Sequence, residues 1–289
     1  MLKLYTDTDT DFTPEAAKEY GYKLISMPYV IDGKEYKPYV DFEKFDAHAF
    51  YDMLRGGVMP TTNALNAEDY KDIFEEDFKA GNEILYVHFS AAMSGTFNSL
   101  ALAVKELSEK YPDAKFYTLD TKGITILSYA MLKDIGDMYK AGKGVKDILQ
   151  WAEKEIDKYT VYFYADNLKF FARSGRVSGF SAFMGNLLGI HPIIYISSDG
   201  IMTSCAKVRG ANNTLKTLVK YVEDLGDDVK NHRIVIGHAD CIQIVEKLIK
   251  MLEEKFGKGL NIEVVDVNPT AGCHCGPDCV GISFYAKHR

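Results

Sequence analysis

EILYVHFSAAMSGTFNSLALAVKELSEKY, residues 83–111, opens as a continuous apolar run and continues as an amphipathic one. Glu83–Phe89 reads as a buried strand. Beyond Ser94, the residues Leu100, Val104, Leu107 and Tyr111 fall on one helical face, so the segment reads as strand, short loop, helix. The same change of period recurs on either side. LKLYT (2–6) precedes TPEAAKEYG (13–21), where Thr13 can cap, Pro14 takes the first helical position and Gly21 can close the helix. KFYTLDT (115–121) leads into a helix around Ile126, Leu127, Ala130, Met131 and Ile135. Such alternation implies a parallel sheet covered on both faces, whose ligands bind beyond the carboxyl ends of the strands.

The second half follows another pattern. VYFYA (161–165) leads to a basic, glycine-containing stretch over 168–189, and HPIIYIS and GIMTSCAKV flank a Ser198-Asp199-Gly200 turn as a hairpin would. One helix carries Leu215, Leu218, Val219 and Val222, the next Val245, Leu248, Ile249, Leu252 and Phe256, with RIVIG, NIEVVDV and GISFY as strands around them. We therefore expect an α/β chain of two domains: a three-layer parallel-sheet unit over 1–160 and an α+β unit over 161–289. The aromatic, poorly periodic stretch within 42–70 is expected to pack across to the second.

Composition narrows the function classes. The 289 residues hold 34 Lys and Arg against 41 Asp and Glu, a net charge of −7, so no uniform positive field invites nucleic acid or anionic lipid. The start lacks a basic and long apolar leader, and no later run nears the length of a membrane span. A cytoplasmic protein is expected, with no stable membrane insertion. Five cysteines in a reducing compartment argue against a disulfide framework.

Several residue groups carry possible chemistry. Cys273, His274, Cys275 and Cys279 invite a metal reading, but Cys273 and Cys275 diverge on an extended backbone, and no second ligand pair is visible. The cysteines read instead as small residues in a tight glycine-rich turn, with no metal and no cofactor. Ser94 with His274 could serve a serine hydrolase acting on acyl esters, although AMSGT is not a nucleophile elbow. The same atoms could capture an anion: Ser94 opens a helix after a strand, where free amides and the positive dipole end favour a carboxylate, and Thr61 and Thr62 could add hydroxyls. Asp7, Asp9 and Asp11 resemble a cation-ligand run without an EF-hand's downstream glycine and glutamate, and read as solvated loop carboxylates. Arg173, Arg176, Lys207 and Arg209 form a basic cluster on an acidic chain, suited to an acidic partner or an anionic group.

Taken in order, Asp7–Asp11, PTT at 60–62, SGTF at 94–97, LDT at 119–121, RSGRV at 173–177, KVRG at 207–210, GHAD at 237–240 and GCHCGP at 272–277 resemble the DegV family. The resemblance implies a two-domain protein that binds one long-chain fatty acid between its domains and presents it to a separate fatty acid kinase, itself catalysing nothing. It implies a carboxylate site of Thr62, Ser94 and His274, supported by Thr61, Gly95 and Thr96. The acyl chain would lie against Phe180, Phe183, Met184, Leu187, Leu188 and Ile190, and Arg173 and Arg209 would meet the kinase or the acyl phosphate. A monomer is expected. Burying a chain of about sixteen carbons offers on the order of 10 kcal/mol before ordering costs, so the head-group contacts would chiefly fix orientation. Ser174, Asp278 and Asn63 depart from the family pattern, and an inward Asp278 would weaken anion binding.

Overall fold

Four parallel strands form the first sheet, in the spatial order Tyr22–Ile25, Leu2–Asp7, Glu83–His88 and Lys115–Asp120. Successive side chains alternate between its faces. Leu4, Leu85 and Val87 meet helices Pro14–Tyr20 and Ile126–Lys140, while Tyr5, Ile84 and Tyr86 meet helices Ala67–Lys79 and Thr96–Lys110. Both faces are covered, as the strand-helix alternation predicts. On the second face Phe74 sits edge-on to Tyr5 and Phe116, with ring centroids at 4.8 and 5.0 Å, and each such buried ring contributes about 2–3 kcal/mol.

The computed structural model describes residues 1–178 and 189–289. Its second sheet has seven strands, ordered Ile262–Asp266, Ile234–His238, Val280–Tyr285, Tyr159–Tyr164, Ile190–Ile196, Met202–Arg209 and Val177–Ser178, and is mixed in direction. The predicted hairpin is present as Ile190–Ile196 against Met202–Arg209, with a register shift between Ile193 and Ile194. Helices Ala211–Leu225 and Ile242–Phe256 cover one face, burying Leu215, Leu218 and Val222 beside Val245, Leu248 and Leu252. Among the described residues, strand Tyr159–Tyr164 pairs within this sheet alone.

Helix Ile126–Lys140 lies between the sheets. Nine of its 15 residues are buried, from Ile126 through Leu132 and then Ile135 and Gly136. Its first seven residues are buried on every side, which needs cover on every side, and a sheet lies on each. Its first residue reaches the second sheet through two glycines: a Cβ at Gly237 would stand 2.6 Å from Ile126 Cγ2, and one at Gly281 would stand 3.2 Å from Ile126 Cδ1.

The aromatic segment contains helix Ala47–Arg55, capped by Asp46, and the strand Thr61–Thr62, which joins Tyr29–Ile31 and Lys34–Tyr36 in a small antiparallel sheet. Tyr51 donates from its hydroxyl to Val267 O at 2.8 Å, and Arg55 binds Asp240 at 2.6 Å and Asp278 at 2.8 Å. The helix is thereby tied to residues from the last fifth of the chain. Among the described residues no helix is long and apolar enough to cross a membrane.

Candidate functional site

The carboxyl edge of the first sheet supplies one side of the site. After strand Glu83–His88, the Ser90 hydroxyl accepts from Ala92 N and donates to Gly200 O, fixing a single 3-10 turn over Ala91–Met93. Ser94 follows in extended conformation, and helix Thr96–Lys110 starts two residues later than the sequence suggested, with Gly95 as its cap. Thr96 N donates to Ser94 Oγ at 3.3 Å. The Ser94 oxygen is thus engaged as an acceptor, and its hydrogen is left to donate elsewhere.

The other side comes from the helix Pro269–Cys275, which replaces the expected extended turn. Asn268 caps it by accepting from Ala271 N at 2.9 Å, and Pro269 fits the first helical position. Asp11 in turn accepts from Asn268 N at 2.9 Å and Nδ2 at 2.8 Å, both through Oδ1. Gly272 allows contact with Tyr51, whose hydroxyl would stand 2.8 Å from an added Cβ. The helix stops at Gly276, at φ 72° and ψ −179°, where Phe170 would stand 2.3 Å from a Cβ. This is a backbone region open almost only to glycine.

So held, His274 places Nε2 3.1 Å from Thr62 Oγ1. Burial, reinforced by the positive charges of Arg176 and Arg173, pushes its pKa down to about 4. The ring is therefore neutral near pH 7, with one nitrogen a donor and the other an acceptor. Thr62, Ser94 and His274 line one cavity, which encloses about 980 Å³ of space, its mouth included. Its walls are apolar side chains from the loops beyond the first sheet, Met27 and Phe89, from the helix residue Ile126, and from the second sheet, Phe163, Ile196 and Met202, and Arg176 lies exposed at its border.

Other sequence expectations meet the structure differently. Thr61 is exposed and outside the cavity lining, because neighbouring strand residues face opposite sides. Gly95 is exposed and outside the cavity lining, whereas Thr96 lines the cavity, with its amide donating to Ser94 Oγ and its hydroxyl engaged with Leu65 O at 3.2 Å and Tyr70 OH at 2.9 Å. Ile190 begins its strand paired with Arg209 and does not line the cavity, while Phe180, Phe183, Met184, Leu187 and Leu188 lie outside the described residues. Arg209 is exposed. Arg173 donates to the backbone oxygens of Met59, Pro60 and Cys273, bracing the Thr62 strand against the His274 helix. Asp278 faces Arg55 instead of the cavity, which removes the repulsion feared for a bound anion.

The acidic run is the main correction. Asp7, Asp9 and Asp11 are buried, not solvated: Asp7 accepts from Tyr86 OH at 3.0 Å and from the amides of Asp9 and Phe89, and Asp11 holds Asn268. Cys273 and Cys275 sit on a helix and Cys279 just beyond its exit; burial raises the Cys273 thiol, and a hydrogen bond with Cys275 together with burial raises that of Cys279. Among the described residues, His274 accepts or donates no bond to Ser94 or to an orienting carboxylate, so a hydrolytic triad is not built. Arg176 and Asp9 stand out in the sequence only as members of the basic cluster and of the acidic run, not as cavity residues, and the Asp11–Asn268 link has no signal there.

The description "Uncharacterised protein, DegV family" belongs to a family model that matches residues 1–287. A DegV domain-containing protein of Clostridium perfringens is 33% identical over 282 residues, covering 97% of this chain and 96% of its own. Among solved structures, a DegV family protein from Eubacterium eligens loaded with heptadecanoic acid superposes with a TM-score of 0.84 at 23% identity, covering 99% of this chain and 100% of its own. A stearic acid-binding protein from Eubacterium ventriosum superposes with a TM-score of 0.86 at 21% identity, covering 99% of each chain. With a family model spanning nearly its whole length and a relative at one-third identity, this chain belongs to the DegV family.

Proposed function

We propose that the cavity binds one long-chain fatty acid, with its carboxylate on Thr62, Ser94 and His274 and its acyl chain along the apolar walls between two domains that divide near residue 160. The observation that carries this reading is the Thr62 Oγ1 to His274 Nε2 pair, 3.1 Å apart, lining the same apolar cavity as the Ser94 hydroxyl. The bond between Thr62 and the neutral imidazole engages one of their two hydrogens, so this pair and the Ser94 hydroxyl together offer two donors to a carboxylate, and such charge-assisted bonds contribute about 1.5–3 kcal/mol apiece. The likeness to proteins described as holding heptadecanoic and stearic acid supports the same ligand class.

The protein then acts as a carrier and catalyses nothing. It presents the carboxylate to a separate fatty acid kinase in the cytoplasm, with Arg176 at the cavity border and the exposed Arg209 as the positive groups that an acyl phosphate or the kinase would meet. Lipid extraction and mass spectrometry of the purified protein test the binding. A stoichiometric fatty acid is expected, with recovery reduced at least tenfold in the Thr62→Ala, Ser94→Ala double variant. Protein that carries no lipid and takes up no added fatty acid would refute it.

A further inference from the structure

Three acids share the turn after the first strand, and they are not equivalent. Asp7 accepts from Tyr86, Phe89 and Asp9, and Asp11 accepts twice from Asn268 through Oδ1, while its Oδ2 is buried without a partner on a residue outside the cavity lining. Both are occupied in holding the fold. Asp9 lines the cavity, is only 6% exposed, and its Oδ1 is buried without a hydrogen-bond partner. Buried polar atoms are nearly always paired, so a carboxyl with an unpaired oxygen on a residue that lines a cavity marks a group that a ligand atom can satisfy.

Thr125 joins it there. Thr125 N donates to Asp9 O at 2.7 Å, and Thr125 also lines the cavity. It stands at φ 52°, a strained position for a β-branched residue, and its hydroxyl does not cap the helix it precedes. Strain of this kind persists where the surroundings over-determine it, here by fixing the Thr125 amide on Asp9. Burial, together with the neighbouring Asp7 and Asp11, holds the Asp9 carboxyl well above the usual carboxylate range. A neutral carboxyl offers one donor and one acceptor, the complement of an alcohol, and it does not attract a cation.

We propose that Asp9 and Thr125 form a second polar subsite in the cavity that takes a hydroxyl group on the ligand, so that the protein prefers hydroxylated long-chain fatty acids to plain ones. This rests on the fatty acid reading of the cavity and narrows its ligand. The orphan oxygen would then be satisfied only by a chain that carries an alcohol at the matching depth. A plain chain would leave it unpaired, and that difference is what selects.

The test uses the full chain stripped of lipid and titrated with fatty acids of one length: plain, and hydroxylated near the carboxylate, at mid-chain or at the methyl end. One hydroxylated isomer is expected to bind about tenfold more tightly than the plain acid, the worth of one net hydrogen bond. Asp9→Leu should bring that ratio to about one. Equal or weaker binding of every hydroxylated isomer overturns the proposal, as does a preference that survives Asp9→Leu. The wild-type titration decides against it alone should the variant fail to fold. Failure of all the acids to bind would instead remove the fatty acid reading itself.

Discussion

The turn Asp7–Asp11 and the helix Pro269–Cys275 come from opposite ends of the chain, meet at one cavity, and shift buried titratable groups toward their neutral forms in opposite directions. On the turn, burial raises the carboxyls of Asp7 and Asp11, the latter up to about 7, while on the helix it lowers His274 to about 4. Removal from water disfavours whichever form is charged, so acids and bases move in opposite directions. The two regions also differ in how they are held. The turn is fixed by bonds to its own sheet, through Tyr86 and Phe89, whereas the helix depends on Asp11 for its cap and on two glycines for its fit. The His274 side is therefore the more fragile of the two.

The largest effect should come from Gly276→Ala. At φ 72° the new residue would be strained by about 1–3 kcal/mol, and its Cβ would meet the Phe170 ring at 2.3 Å, adding overpacking of about 1–3 kcal/mol. A loss of about 3–5 kcal/mol is expected in urea unfolding. An equal loss from Gly95→Ala, where nothing stands near the added methyl, would erase the claim that close fit governs the helix side.

Asp11→Ala should come next, because it attacks the bond between the two regions. Asn268 N and Nδ2 would each lose their acceptor while buried, at about 1–3 kcal/mol per orphaned group, so a loss of about 2–4 kcal/mol is expected. The distinctive outcome is positional: hydrogen exchange should accelerate in 269–275 more than in the first strand. Uniform acceleration would mean that Asp11 supports the turn alone.

This contrast also explains what could be read in advance. Strand-helix alternation over 1–140 and the 197–200 turn are local signals, and both sheets formed as their periods required. Thr62, Ser94 and His274 came from order along the chain, and they line one cavity although 180 residues separate Ser94 from His274. The acidic turn was misjudged because a carboxylate's solvation depends on partners such as Tyr86 and Asn268, which lie 79 and 257 residues away. The terminal cysteines misled for a related reason: a capped proline start made a helix out of what looked like an extended glycine turn.

The smallest effect is one of pH, and it separates the two regions by sign. His274 has its folded pKa below its ordinary 6.5, so its contribution is complete above that value and is lost as pH falls toward about 4. Asp11 has its folded pKa above its ordinary 3.8, so its contribution is complete at low pH and is lost as pH rises through about 7. Between pH of about 4 and about 7 the two slopes oppose each other, and other carboxylates add their own. Comparing ligand-free wild type with His274→Gln cancels everything but the imidazole. The variant should gain stability relative to wild type as pH falls from about 6.5 to about 4, measured by urea unfolding at intervals across that range. A constant gap would mean that His274 is protonated as readily in the folded chain as in the unfolded one, and the neutral donor assigned to it beside Thr62 would then be lost.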